Sequence, residues 1–285
     1  MRAGRSRSGE RGIAIIAALW AAALVALVAV SVMHLTRSDA RLARDQVEGA
    51  RLEAVADGAV AHVILSLFGP KEGQPPTDGA PYSLTFEGTE IRASVTDESG
   101  RIDLNRVAPE TLATLLRQAG LEPEPARDMA GRIVDWRRNA PQTLSRSGGA
   151  DAYAAAGRDY GPRNAAFQSV AELKQVLGMT DALFRRIAPL LTVHSHSASV
   201  DPAFASAAVL RVYAGSSEVA REALERKEEL ARRGGPAERP GVIVGHAFAI
   251  TVRAIDEEAG AQVTRRVAVR LTGDGANPLL IYRWD

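Results

Sequence analysis

From Ile13 to Met33 the chain reads IAIIAALWAAALVALVAVSVM, a run without charge, glycine or proline, directly behind Arg2, Arg5, Arg7 and Arg11. At ~1.5 Å of rise per residue, a helix over this run matches a bilayer core of ~30 Å. The spacing predicts one transmembrane helix near the N-terminus. Because the short leader is basic and the sequence after Met33 mixes signs, the leader is expected in the cytoplasm and everything beyond about His34 on the far side. The alternative is a secretory signal peptide, whose apolar region usually spans ~7–15 residues before a small-residue cleavage site. Ala21, Ala22 and Ala23 could supply such a site, but the run is longer and the helical pattern continues past it.

That continuation is amphipathic: Leu52, Val55, Val60, Val63, Ile64 and Leu67 fall near a 3.6-residue period, and nothing interrupts them before Gly69-Pro70. One long helix from about Ile13 to Phe68 is predicted, apolar all round in its first half and one-faced in its second. Residues 70–81 (PKEGQPPTDGAP) form a Pro/Gly linker, and Tyr82, Leu84 and Phe86 then alternate with polar residues up to Gly88. Ile91, Ala93 and Val95 alternate again, which is the pattern of a hairpin with one buried face.

At Asp97-Glu-Ser-Gly100 the period changes, and a block of short helices follows. Helices are expected over 109–119, 125–137, 180–188, 202–213 and 217–233, with a capping box at Ser169-Val-Ala-Glu172 and a long loop over 139–165. Strands return at 242–254, 263–271 and 279–284. Strands on both sides of a helical block imply an α+β fold, one antiparallel sheet interrupted by an insertion, with the long helix packed across it.

A net charge of +1 argues against a polyanion binder driven by bulk charge. With no cysteine there is no disulfide framework, thiolate metal site or cysteine nucleophile, which fits an oxidising compartment. No Gly-x-Ser-x-Gly elbow, His-Glu-x-x-His helix or Gly-x-Gly-x-x-Gly turn is present, so no catalytic residue and no cofactor are indicated. His194-Ser-His196 is the closest histidine pair. It reads as exposed loop residues, with metal chelation as the alternative. Trp136 and Trp284 read as core or interface aromatics, and Trp20 as lipid-facing.

Two stretches carry a resemblance. Arg11-Gly12-Ile13 ahead of the apolar helix looks like the leader of type IV pilins and type II secretion pseudopilins, cut by prepilin peptidase between Gly12 and Ile13. Asp97-Glu-Ser-Gly-Arg-Ile-Asp-Leu-Asn105, Ile133-Val-Asp135-Trp136, Arg163-Asn164-Ala-Ala-Phe167, Glu172-Leu173 and Leu177-Gly178-Met179 are similar, in order and spacing, to general secretion pathway protein K. The resemblance implies a non-catalytic minor pseudopilin, N-methylated at Ile13, single-pass in the inner membrane with its globular part in the periplasm. Its implied partners are the I- and J-type minor pseudopilins, the major pseudopilin and the prepilin peptidase, with no nucleic acid.

On this reading the chain divides into a leader (1–12), a transmembrane half-helix (13–33), a periplasmic half-helix with the first strands (34–96), a helical insertion (97–235) and the last strands (236–285). Most pilins carry Glu at the fifth mature position. Here it is Ala17, as in K-type members, and the subunit would lack the carboxylate that pairs with a neighbour's terminal amine in lipid. The resemblance also implies calcium near Asp135-Trp136, with Asp135, Asp151 and Asp159 as candidate ligands. Arg137 and Arg138 stand where carboxylates are expected, and Asp151 and Asp159 read equally as solvated loop residues. Two alternatives are a type IV pilus minor pilin and a membrane-anchored helix-hairpin-helix DNA-binding protein, suggested by Asp103-Leu-Asn105, Pro109-Glu-Thr-Leu112 and Gly178. Against the latter, the Glu and Asp after Gly120 and Gly178 would repel phosphate.

Overall fold

The computed structural model describes the backbone of residues 8–138, 149–233, 241–257 and 260–285, and the side chains of these except 8–15 and 29–45. Two compact units are present, residues 1–54 and 55–285. Helix α1, Ser8–Leu67, runs through the predicted span. Ile16, Leu19, Trp20, Leu24, Val25, Leu27 and Val28 are all exposed on it. Among the described residues no helix is long and apolar enough to cross a membrane. Residues 13–15 and 29–33 of the apolar run lie outside the described side chains.

In the second unit the last turns of α1 bury Val55, Ala56, Ala59, Val60, Val63, Ile64 and Leu67, one stripe at helical spacing. The stripe lies on a five-stranded antiparallel sheet of order β1-β2-β5-β6-β7: β1 Tyr82–Phe86, β2 Thr89–Asp97, β5 Ala247–Asp256, β6 Ala261–Leu271 and β7 Leu279–Trp284. Register decides which face α1 covers. Tyr82, Ala93, Val252 and Arg265 lie in one row, and Arg265 Nε donates to Asp57 Oδ1 of α1 at 2.7 Å. Phe86, an even number of residues along β1 from Tyr82, shares that face, and a Cβ on Gly58 would come within 2.7 Å of its ring. The other face carries the row Ser94, Thr251, Arg266 and the row Thr96, Ala249, Ala268.

Between β2 and β5, which pair side by side, lies the insertion. In order it contains β3 Ile102–Asp103, α2 Pro109–Gln118, α3 Pro123–Arg137, α4 Ala150–Ala155, α5 Asp181–Ile187, β4 Leu191–Thr192, α6 Ala207–Tyr213 and α7 Glu218–Arg232. Its core is its own, built on Ile102, Leu104, Leu112, Leu116, Ile133, Trp136, Tyr153, Leu173 and Leu210.

Three local expectations are corrected. The loop read over 139–165 contains α4. The helix expected from 202 begins at Ala207, because Asp201 takes the Ala203 amide in a turn and Ser206 then caps the helix through the Val209 amide. The capping box at Ser169 does not form. Ser169 makes no side-chain cap, residues 170–175 wind as 3₁₀, and Glu172 Oε1 accepts from the Gln168 amide and Arg163 instead.

Gly58 is tied to a close approach rather than to a turn. Gly58→Ala should therefore not gain the ~1 kcal/mol that alanine offers a helix interior over glycine. In a Phe86→Ala background the gain should appear, and a double-mutant cycle on chemical denaturation measures the coupling.

Candidate functional site

The motif Asp97 to Asn105 is where the chain leaves the sheet, and each of its polar residues fastens a different part of the insertion. Asp97, paired in register with Phe248, is buried at the end of β2. Its Oδ1 accepts from the Ser99 amide at 2.9 Å and the Ser99 hydroxyl at 2.6 Å, and its Oδ2 lies 2.8 Å from His246 Nδ1, at the return into β5. The two ends of the insertion are thus tied by one carboxylate. Phe204 closes over the imidazole edge-on at 5.3 Å. Gly100 passes so near Phe204 that a Cβ would lie 2.4 Å from its carbonyl oxygen, so only glycine fits.

Glu98 is buried and bonded to Arg101 at 2.9 Å. Burial pushes its carboxyl above the usual range, against the lowering effect of Arg101 and of a hydrogen bond with Thr192. Ile102 and Asp103 pair in parallel with Leu191 and Thr192. The Asp103 carboxylate takes the amides of Asn105 and His196, both at 2.7 Å, and the Ser195 hydroxyl at 3.2 Å. Asn105 in turn holds the backbone of Phe167, donating to its carbonyl at 3.0 Å and accepting from its amide at 2.7 Å. Phe167 stacks on Trp136 at 6.2 Å, and Tyr153 and Tyr160 complete the aromatic cluster. The separated sequence landmarks are therefore in contact.

A second tie comes from the sheet. A register shift at Ala268/Val269 places Ile281 opposite Val269 and Arg283 opposite Ala268, which leaves Tyr282 as the extra residue of a bulge. Its ring stacks on His194 at 5.3 Å, and Arg270 lies over it at 5.8 Å while donating to the His194 carbonyl at 3.1 Å. His194 is half-buried, and burial, followed by the charge of His196, lowers its pKa. The reading of this pair as exposed loop residues is corrected for His194. Beside these ties lies a cavity of about 540 Å³ between the sheet and the insertion, of mixed lining, with Ser94, Thr251, Glu98 and Arg266 beside Leu191 and Val267 among others.

Ser99, His246 and Asp97 are the residue types of a hydrolase triad but not its geometry. Serine and carboxylate share the same ring nitrogen, and the serine proton points to Asp97, so the imidazole does not stand between nucleophile and acid. In the α2–α3 hairpin the amides of Ala119, Gly120 and Leu121 bond to carbonyls of α2. Those are the donors that a DNA phosphate would need.

Gly12 and Ile13 lie in α1, and the side chain of Ile13 is outside the described residues. Asp135 is half-buried on α3, Asp151 is exposed in the first turn of α4, and Asp159 is exposed after it. Among the described residues no group of three or more His, Asp or Glu is placed to hold a metal. From 136 to 150 the sequence has no carboxylate and three arginines, so the donors beside Asp135-Trp136 do not fit calcium.

Residues 93–196 match the family model for type II secretion system (T2SS) protein K. The chain is similar to that family. The matched residues span Asp97 through His196, the segment just built from its contacts. Among solved structures, a chain of the GspK-GspI-GspJ complex from the enterotoxigenic Escherichia coli type 2 secretion system matches with a TM-score of 0.55 and 14% identity, over 88% of this chain and 98% of that one. That match supports the α+β fold with its helical insertion. No curated protein matches. The family found is the one the sequence landmarks suggested. His246, just ahead of β5, and Tyr282, in β7, carry no sequence signal beyond an alternating stretch.

Asn105→Ala should destabilise the chain by roughly 2–3 kcal/mol in chemical denaturation, since it unpairs two main-chain groups of Phe167, and Asn105→Asp, which keeps the acceptor but turns a second acceptor on the Phe167 carbonyl, should not recover the loss. Glu98 gives a pH signature. With its pKa raised, its contribution is full below the usual carboxylate range and is lost as pH rises through the higher folded value. The Tm difference between wild type and Glu98→Gln should therefore fall from acid to neutral pH.

Proposed function

We propose that this protein is a minor pseudopilin of type II secretion, a non-catalytic subunit that joins I- and J-type partners at the pseudopilus tip to initiate or cap its assembly. The observation that carries the reading is the protein K match over 93–196, which falls on the insertion hung between adjacent strands of a helix-backed sheet. The solved complex with a similar fold contains GspI and GspJ beside GspK, which supports partners of those types.

On this reading the leader is removed after Gly12, Ile13 becomes the N-methylated terminus, and residues 13–33 sit in the inner membrane with the rest in the periplasm. An apolar helix meets satisfied surroundings both in lipid and against like helices, so it can pass from one to the other without exposing its backbone to water. Without a glutamate at Ala17 the subunit does not need a subunit ahead of it, which suits a tip. A type IV pilus minor pilin shares the helix and leader but not the K-like insertion.

Deleting the gene should abolish export of secreted enzymes into the medium and leave pili intact, and the wild-type gene should restore export. Gly12→Leu should fail to restore it, and the intact mass of that variant should retain residues 1–12 in the membrane fraction. Pili lost with export intact would favour the pilus reading, and normal cleavage of the Gly12 variant would remove the leader assignment.

A further inference from the structure

The resemblance to protein K points to calcium beside Asp135-Trp136, and the residues there do not fit one. We propose that Arg137 does the holding instead: its guanidinium fastens the end of α3 to the segment between β3 and α2, and the insertion folds without a divalent cation. The resemblance enters only in saying where an ion would be sought. The contacts of Arg137 stand apart from it.

Arg137 occupies the last turn of α3 and donates through its two terminal nitrogens to the carbonyl oxygens of Leu104 and Val107, the second at 2.6 Å. Both acceptor residues belong to the buried core of the insertion, and between them lies the turn of Asn105 and Arg106. Burial lowers the pKa of the Arg137 guanidinium, the Asp103 carboxylate opposing this and Arg138 adding to it, and the two carbonyl contacts hold the group in place. Two main-chain carbonyls near a carboxylate are part of the hard oxygen set that calcium takes, and a planar guanidinium can bridge the two carbonyls with parallel N–H donors. Both Asp103 oxygens already accept hydrogen bonds, from the Asn105 amide and from Ser195 and the His196 amide.

Directly after Trp136 the chain places Arg137 and Arg138, so a divalent ion beside that tryptophan would meet like charge. Arginine keeps its charge at any physiological pH. Cohesion built on it does not depend on free calcium.

Thermal unfolding of the purified full chain in detergent, in millimolar calcium and in millimolar EDTA, tests the inference. Wild type should melt at the same temperature in both. Arg137→Met should lower Tm by roughly 5 °C equally in both, and Arg138→Met, at an exposed neighbour, should leave it unchanged. A wild-type Tm that rises in calcium would overturn the proposal. So would Arg137→Met melting with wild type, or Arg138→Met falling as far as Arg137→Met. Should Arg137→Met fail to fold, the two wild-type melts and Arg137→Lys decide: lysine keeps the charge without the fork and should melt below wild type, and equality would count against the proposal.

Discussion

The fold depends on one closure: the insertion begins at Asp97 and returns at His246, on two strands that pair in register. Holding the ends of a chain of this length together costs about 4 kcal/mol of loop entropy, and that cost grows only with the logarithm of length. The β2–β5 ladder sets the spacing, and the Asp97 carboxylate with Ser99 and His246 closes it. Because the ends are fixed at one place, the material between them is free to build a separate core, as Tyr153, Leu173 and the residues around them do. The β2–β5 and β5–β6 ladders keep their register across the insertion point, and the bulge lies further out, between β6 and β7.

What was legible in the sequence follows from period. The helix to Leu67, the hairpin at 82–97 and the final strands are set by apolar spacing alone, and their bounds agree to within a few residues except at α1, which starts at Ser8 rather than Ile13, and at β5, which starts at Ala247 rather than 242. The interior of the insertion was read less well. Ser169 and Glu172 have the spacing of a capping box, but a tertiary partner, Arg163, and the Gln168 amide compete for the same carboxylate. The parallel pair β3–β4 joins residues far apart in sequence, and two-residue strands have no period to detect. The landmarks Asp97–Asn105, Trp136 and Phe167 were visible as a set, yet their reason was not: Asn105 binding the main chain of Phe167, and Phe167 stacking on Trp136, exist only once the chain is folded.

Arginine recurs as the connector in this protein. Arg132 reaches the Leu177 carbonyl, Arg186 the Ala119 carbonyl and Arg270 the His194 carbonyl, each joining segments distant in sequence. On α7 the arginines work differently, pairing with Glu218, Glu225 and Glu229 on an exposed face. Such pairs contribute little stability. The pair Arg211–Glu228 does span elements, linking α6 to α7.

The bulge that aims Tyr282 at His194 lies on the last strand, and Trp284, two residues on, donates to Asp57 of α1 on the opposite face. One short segment therefore touches both layers that flank the sheet. During synthesis it leaves the ribosome after everything it joins. The ties through Asp97, His246 and Arg270 all lie earlier in the chain than β7, so the contacts of Tyr282 and Trp284 add to a seating already begun. One strand thus couples the two layers through the sheet, so that a shift of its register would loosen both at once.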